Sequence, residues 1–357
     1  MIPILSITAF IILLYLAYPL WLAFFVPEQA AGEKETEEIT CVSVILLSCN
    51  GTNHLQEKIN FLTRELSSFE CHELIIVDDN SSDGSVELLN DLSGTPHIKV
   101  LYNHKHEGIP FSMNLGIRSA KYEYVVFCDQ RQTLSDHILQ RIVEPLKYKN
   151  VGAVSGCISP IDHENRCSLL RRHENFVKSA ESRTGRLIGV YGPFYALKKQ
   201  SYAGIPDHII LDDLYLSLRI LKTKQIVLRE DCLITDKSMT ALYDYPRTKR
   251  YLAGFIQILK EKSMISDLDT NQKIMLVWHK YLRLLIPVFI FFSYISIGYR
   301  AVQGMEYMLL FCLLSAAGLI SLVPLKLKVR PKNLVRLNIY YFIGMIDITF
   351  NKVFFHR

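Results

Sequence analysis

Cysteine pairs at metal-ligand spacing are missing from this sequence. Its eight cysteines, at positions 41, 49, 71, 128, 157, 167, 232 and 312, include no C-x-x-C and follow no regular interval. That argues against a zinc or disulfide framework and for reduced thiols in a cytosolic domain. No G-x-G-x-x-G follows the first strand-like run, which counts against a dinucleotide enzyme. Internal repeats and low-complexity tracts are absent too. The net charge is only +5, and neither charged run, the five acids and one lysine from Glu28 to Glu38 or the five bases from Lys326 to Arg336, has the form of a nucleic-acid arm. No Lys or Arg precedes Lys34, and the apolar stretch before it is too long for the core of a cleaved leader.

What is present is apolar, with half of the 357 residues hydrophobic. Ile4 to Val26 is an uncharged run long enough, at 1.5 Å per residue, to cross a hydrocarbon core of ~30 Å, with Pro19 as a kink. Residues 4–26 are expected as a transmembrane helix and 27–40 as an acidic, solvated linker. Two more spans are expected within 281–325, at Tyr281–Ile297 and Met308–Leu325. The stretch 334–354 is apolar but carries Arg336, Asn338, Asp347 and Asn351, so crossing the membrane and lying on it both stay open. If 41–280 is cytosolic, the bases from Lys326 to Arg336 fall on the same side, as the positive-inside rule asks.

Between these segments the pattern is α/β. Strand-like runs at Val42–Leu47, Leu74–Val77, Ile98–Tyr102 and Tyr124–Cys128 alternate with amphipathic stretches, one carrying its stripe on Leu55, Ile59, Leu62 and Leu66. Such alternation predicts a mostly parallel sheet. A helix is expected from about Ser135, another from Leu211, and a third, basic at its start and apolar at Leu252, Phe255, Ile256 and Leu259, from Arg247. The region 151–182 has no clear period.

Chemistry-bearing residues sit where strands end. Leu74-Ile-Ile-Val-Asp78-Asp79 climbs into paired acids and breaks into Asn-Ser-Ser-Asp-Gly-Ser, and Ser48-Cys-Asn50-Gly ends the first strand. Both turns lie where open α/β sheets take ligands. Paired acids at a strand end also suit a helix cap or a metal site. Gly108, Asn114-Leu-Gly116-Ile, Ala120 and Tyr124-Val-Val-Phe-Cys-Asp129 follow, and then Asp212-Asp213-Leu-Tyr-Leu-Ser-Leu-Arg219 and Arg247-Thr-Lys-Arg250-Tyr251. In this order the blocks resemble family 2 glycosyltransferases of the GT-A fold, in the cellulose synthase and hyaluronan synthase branch, over roughly residues 42–260.

The resemblance implies a GT-A domain over 41–264, with one N-terminal and two to three C-terminal transmembrane helices, in an integral plasma (inner) membrane protein with a cytosolic catalytic domain. It implies an inverting glycosyltransferase that moves a sugar from a nucleotide-diphosphate sugar, a UDP-linked one among the candidates, to a glycan or lipid-linked acceptor. Asp213 takes the place of the catalytic base; a helix N-cap is its plainer reading. Ser48, Asn50, Asp78, Asp79 and Asp129 would hold the donor nucleotide. Arg131, Gly192, Asp212, Arg247, Arg250 and Tyr251 would serve the diphosphate and acceptor, with Arg247 and Arg250 one turn apart.

The departure is Asp129-Gln130-Arg131, where the family places two acids for Mg²⁺ or Mn²⁺. Either a metal stays on Asp129 with water and phosphate oxygens, or the guanidinium itself supplies counter-charge. His54, His104 and His106 lack a carboxylate or thiol at ligand spacing in the sequence and read as surface histidines. Processive polymerisation, single-sugar addition and a pore built from a homo-oligomer remain open. So does a nucleotide-sugar-binding pseudoenzyme that scaffolds a glycan-assembly complex.

Overall fold

A computed structural model describes residues 16–29, 32–92, 94–161, 168–235, 245–302, 304 and 339–344. The chain divides into two compact units, Leu22–Met239 with Glu261–Gln272, and Met1–Trp21 with Thr240–Lys260 and Lys273–Arg357.

The first unit is built on an eight-stranded sheet: β1 (Cys41–Ser48), β2 (Cys71–Asp78), β3 (Ile98–Tyr102), β4 (Tyr124–Asp129), β5 (Thr133–Leu134), β6 (Val151–Ile158), β7 (Phe194–Lys198) and β8 (Gln225–Thr235), in the order β3-β2-β1-β4-β7-β6-β8-β5. The four strands foreseen from sequence form the parallel half, each within three residues of its expected ends. β7 runs antiparallel to both of its neighbours, β4 and β6, while β6 and β8 are parallel. The sheet is thus mixed α/β, and its second half was invisible to the pattern. β6 and β7 are buried at every position, so they show no alternation of apolar and polar residues to read.

Helices cover the sheet for local reasons. Thr52–Leu66 buries Leu55, Ile59, Leu62 and Leu66, the stripe visible in the sequence. Each such side chain contributes about 1.5–3 kcal/mol on leaving water. Ile109–Ser119 lies close on β1: a Cβ on Gly116 would stand 2.7 Å from Ile45 Cγ2, so glycine lets helix and strand approach. Asn114 fastens that helix, donating to the Ile205 carbonyl and accepting from the Ile205 amide and the Tyr202 hydroxyl. The unplaced region 151–182 resolves into β6 and the helix Leu169–Arg183, capped by Ser168.

Two details depart from simple expectation. Register sets Cys41 beside Cys71 on adjacent strands, and the pair is joined as a disulfide, so these two are not free thiols. The pairing depends on strand adjacency, which cysteine spacing does not encode. The acidic segment after Val26 is docked on the domain. Gln29 and Glu35 donate backbone hydrogen bonds to Arg183 and Lys147, Lys149 donates one to Glu33, and Glu35 pairs with the buried Lys198 ammonium.

In the other unit, Tyr18 and Trp21 stack near Trp278, with ring centroids 5.7 and 6.4 Å away. Tyr281 donates to the Phe255 carbonyl in the helix Tyr245–Lys260. A helical stretch from Thr270 to Arg300 is, by length and composition, the one candidate span among the described residues. It contains the predicted Tyr281–Ile297. The span at Met308–Leu325 and all but 339–344 of the segment 334–354 lie outside the described residues, as does most of 4–26 before the helix Tyr18–Phe25.

Candidate active site

Parallel pairing brings the predicted nucleotide residues to one edge. Ser48 lies opposite Asp78 and Leu47 opposite Asp129, so β1, β2 and β4 end together. The paired acids are buried and occupied. Asp78 accepts the Ser81 amide and hydroxyl at 2.9 and 2.5 Å, which fixes the turn. Asp79 Oδ1 accepts from the Asn103 amide group and the Glu107 amide, and Oδ2 from the Gly108 amide at 2.9 Å. Asp79 therefore organises the loop after β3. Asn50, at φ +50°, accepts the Ser82 amide at 2.8 Å and donates its own amide to Ser81, locking the two turns together. Asp83 closes the far side by accepting from the Ser85 hydroxyl and the Thr52 amide. Chiefly the Ser85 bond lowers its carboxyl to about 2.

At the tip of β4 the side chains alternate. Gln130 turns inward, accepting from Ser48 Oγ at 2.8 Å and donating to the Cys49 carbonyl at 2.8 Å. Asp129 and Arg131 stay together, with a guanidinium nitrogen 3.6 Å from Asp129 Oδ2. Asp129 supplies one hard oxygen ligand and Arg131 none. The donor set fits a divalent ion held by one carboxylate, with phosphate and water completing the shell.

Beyond Asp129 the edge continues through β7. The Asp129 amide donates to the Pro193 carbonyl at 2.9 Å, which sets Gly192 beside the strand end. A Cβ on Gly192 would lie 3.5 Å from Asp213 Oδ2, so the carboxylate faces the glycine loop. Asp212 and Asp213 occupy the first turn of the helix Asp212–Ile220 rather than its cap, which is Leu211. Negative charge suits that helix end.

Side chains that motif reading passed over hold this corner. Ser217 Oγ donates to the Asp213 carbonyl at 2.6 Å and accepts from the Val190 amide at 3.0 Å. Ser155 Oγ accepts from the Tyr191 amide at 2.8 Å. The buried Lys178 ammonium donates to the Gly189 carbonyl and lies 4.2 Å from the centre of the Tyr191 ring. Ser217 had one signal, its place one turn after Asp213; Lys178 and Ser155 had none.

His106 also differs from its sequence reading, since folding brings it a carboxylate and a thiol. Its Nδ1 is 2.9 Å from Asp79 Oδ2 and 3.8 Å from Cys49 Sγ. Burial, reinforced by Asp79 and Asp78, pushes the Cys49 thiol up. Arg247, Arg250 and Tyr251 belong to the other unit, on the helix Tyr245–Lys260. There Arg247 lies over the Tyr251 ring at 5.6 Å, as their one-turn spacing allows.

Residues 43–203 match the model of a family described as glycosyl transferase family 2. The poly-β-1,6-N-acetyl-D-glucosamine synthase of Staphylococcus epidermidis is 24% identical over 215 residues, 55% of this chain and 51% of that protein. An uncharacterized glycosyltransferase of Nostoc sp. is 30% identical over 127 residues, 35% of this chain and 38% of its own. The chain spans about half the length of the first of these relatives. Among solved structures, a mannosyltransferase from Pyrobaculum calidifontis, in complex with GDP-Man and Mn²⁺, has a TM-score of 0.77 at 19% identity, covering 98% of this chain and 97% of that one. At that identity the likeness is one of fold.

Proposed function

We propose that this chain, whose residues 43–203 belong to glycosyl transferase family 2 and fold as part of a GT-A domain, is a membrane-anchored, inverting glycosyltransferase. Its donor would be a nucleotide-diphosphate sugar and its acceptor a glycan or lipid-linked sugar. The observation that carries this reading is the convergence of Asp129, Gly192 and Asp213 at the carboxyl edge of the sheet, beside the turns at 48–51 and 78–85.

The turns are set to receive the nucleoside end of the donor. Their backbone is fixed by Asp78, Asp79, Asn50 and Asp83, so binding orders little that is loose. A sugar hydroxyl is a poor nucleophile, and Asp213 is the group to take its proton as it attacks the anomeric carbon. Gly192 leaves the space in front of that carboxylate open to the acceptor. Attack from the side opposite the departing diphosphate inverts the anomeric centre. Arg131 lends positive charge at the diphosphate. A Mg²⁺ or Mn²⁺ ion held by Asp129 would add charge neutralisation at the same oxygens.

Anchoring draws support from the apolar helical stretch Thr270–Arg300. An acceptor attached to or emerging from the membrane would suit such an anchor, and Arg247, Arg250 and Tyr251 keep the acceptor and diphosphate roles that the likeness of their block to the family's motif implies. The synthase relative from S. epidermidis favours an N-acetylhexosamine among the candidate sugars and polysaccharide synthesis as the setting. Screening the purified chain against nucleotide sugars by donor hydrolysis and thermal shift, then reading the product's anomeric configuration by NMR, tests the proposal. One preferred donor and an inverted product support it. A retained configuration, or no donor that shifts melting or is hydrolysed, contradicts it.

A further inference from the structure

Three metal-capable side chains, far apart in sequence, meet at the end of the sheet. Cys49 follows β1, Asp79 follows β2 and His106 lies in the loop after β3; their ligand atoms all fall within 4.8 Å of one another, the one such cluster among the described residues. His106 Nδ1 stands 2.9 Å from Asp79 Oδ2 and 3.8 Å from Cys49 Sγ. A tetrahedral ion with bonds of ~2.0 Å to nitrogen and oxygen and ~2.3 Å to sulfur sets N and O about 3.3 Å apart and N and S about 3.5 Å apart. The observed separations bracket those values. His106 thus stands within about half an ångström of ligand distance from each of its two partners on a largely exposed imidazole, and Cys49 Sγ and the Asp79 carboxylate, within 4.8 Å, complete the set as their side chains turn toward an ion.

The carboxylate is already oriented for such a role. Asn103 and the Glu107 amide hold Asp79 Oδ1, and the Gly108 amide holds Oδ2, leaving the other side of Oδ2 to face His106. Outer contacts of this kind fix a ligand's direction before an ion arrives. The thiol belongs to the one described cysteine that is neither buried nor in the disulfide.

We propose that Cys49, Asp79 and His106 form a binding site for a borderline divalent ion of the Zn²⁺ class, with a fourth position open to water. Sulfur and imidazole ligands select zinc over Mg²⁺ and Mn²⁺, which sets this site apart from the single hard ligand at Asp129. An ion here ties the loop after β3 to the turn after β1, across the edge assigned to the nucleoside. Zn²⁺ therefore opposes donor binding, a consequence that rests on the function proposed above.

The test uses the full chain with its Cys41–Cys71 bond intact, stripped with a chelator, handled without air or added thiol and titrated with Zn²⁺ alone by calorimetry. One ion should bind with a dissociation constant in the low micromolar range or tighter, C49S and H106Q should each weaken it at least tenfold, and Mg²⁺ and Mn²⁺ should give no Cys49-dependent signal. In the unaltered chain, alkylation of the Cys49 peptide, followed by mass spectrometry, should slow at least fivefold with Zn²⁺ present. Unchanged alkylation, or variants that fold and bind zinc as the parent does, overturns the site. With UDP and GDP as probes, Zn²⁺ should weaken nucleotide affinity in the parent and spare C49S. Zinc bound at the site with nucleotide affinity unchanged would leave the site standing and remove the nucleoside from this edge.

Discussion

Asp213 and Gly192 face each other, with a carboxylate oxygen 3.5 Å from where a glycine Cβ would stand. That is ordinary van der Waals distance, so Gly192→Ala should fold with little change in melting temperature. The added methyl nonetheless occupies space in front of the proposed base. Turnover should fall about tenfold, since small displacements at reacting groups are costly. Steady-state kinetics beside a thermal melt checks both halves.

Ser217 couples the helix that carries Asp213 to the glycine loop through two hydrogen bonds made by one buried hydroxyl. Ser217→Ala leaves the Val190 amide without its partner, which should cost about 1–3 kcal/mol in chemical denaturation. Because the Asp213 turn and the loop at Val190 then lose their common tie, kcat should drop more than donor KM rises.

The turn that joins 50–52 to 81–85 is sensitive to acid. The Ser85 hydroxyl and then Thr52 hold Asp83 at about 2, below the ordinary carboxylate value. A lowered carboxyl stabilises the fold above its unfolded value near 4, and the contribution disappears as pH falls toward 2. Between pH 4 and 2 the parent chain should lose stability faster than Asp83→Asn, as read by denaturant midpoints. Asp83 is largely exposed, so the difference will be small.

At the diphosphate end, Asp129 provides the single acid and Arg131 the neighbouring charge. Chelation of divalent ions should lower turnover at least tenfold. Arg131→Asp, which offers a second oxygen ligand, should shift the Mn²⁺ dependence of turnover to lower concentration. A Mn²⁺ titration of both proteins reads this directly.

Much of this could be read from the chain because the parallel half of the sheet keeps its signals local. Apolar runs end in polar turns at Ser48, Asp78 and Asp129, and the stripe Leu55-Ile59-Leu62-Leu66 names its own buried face. The other half carries no such signal. β6 and β7 are buried throughout, and nothing in a buried run reveals that β7 runs antiparallel to both neighbours. The motifs likewise pointed to Asp79 without disclosing that its oxygens hold the Glu107 and Gly108 amides, because loop closure depends on long-range register. The Cys41–Cys71 pair and the approach of Cys49 to His106 are hidden for the same reason.

Asp213 as the general base is the central claim, and Asp213→Asn tests it most directly, with transfer to acceptor and affinity for the nucleoside diphosphate measured on the same preparation. Removing the proton acceptor while keeping the side chain's shape should lower transfer by about two to four orders of magnitude, the range associated with general-base catalysis. Nucleotide affinity should stay within about twofold of the parent, for the proposed donor contacts lie elsewhere. Transfer that survives the substitution, or nucleotide binding that fails with it, would contradict the account.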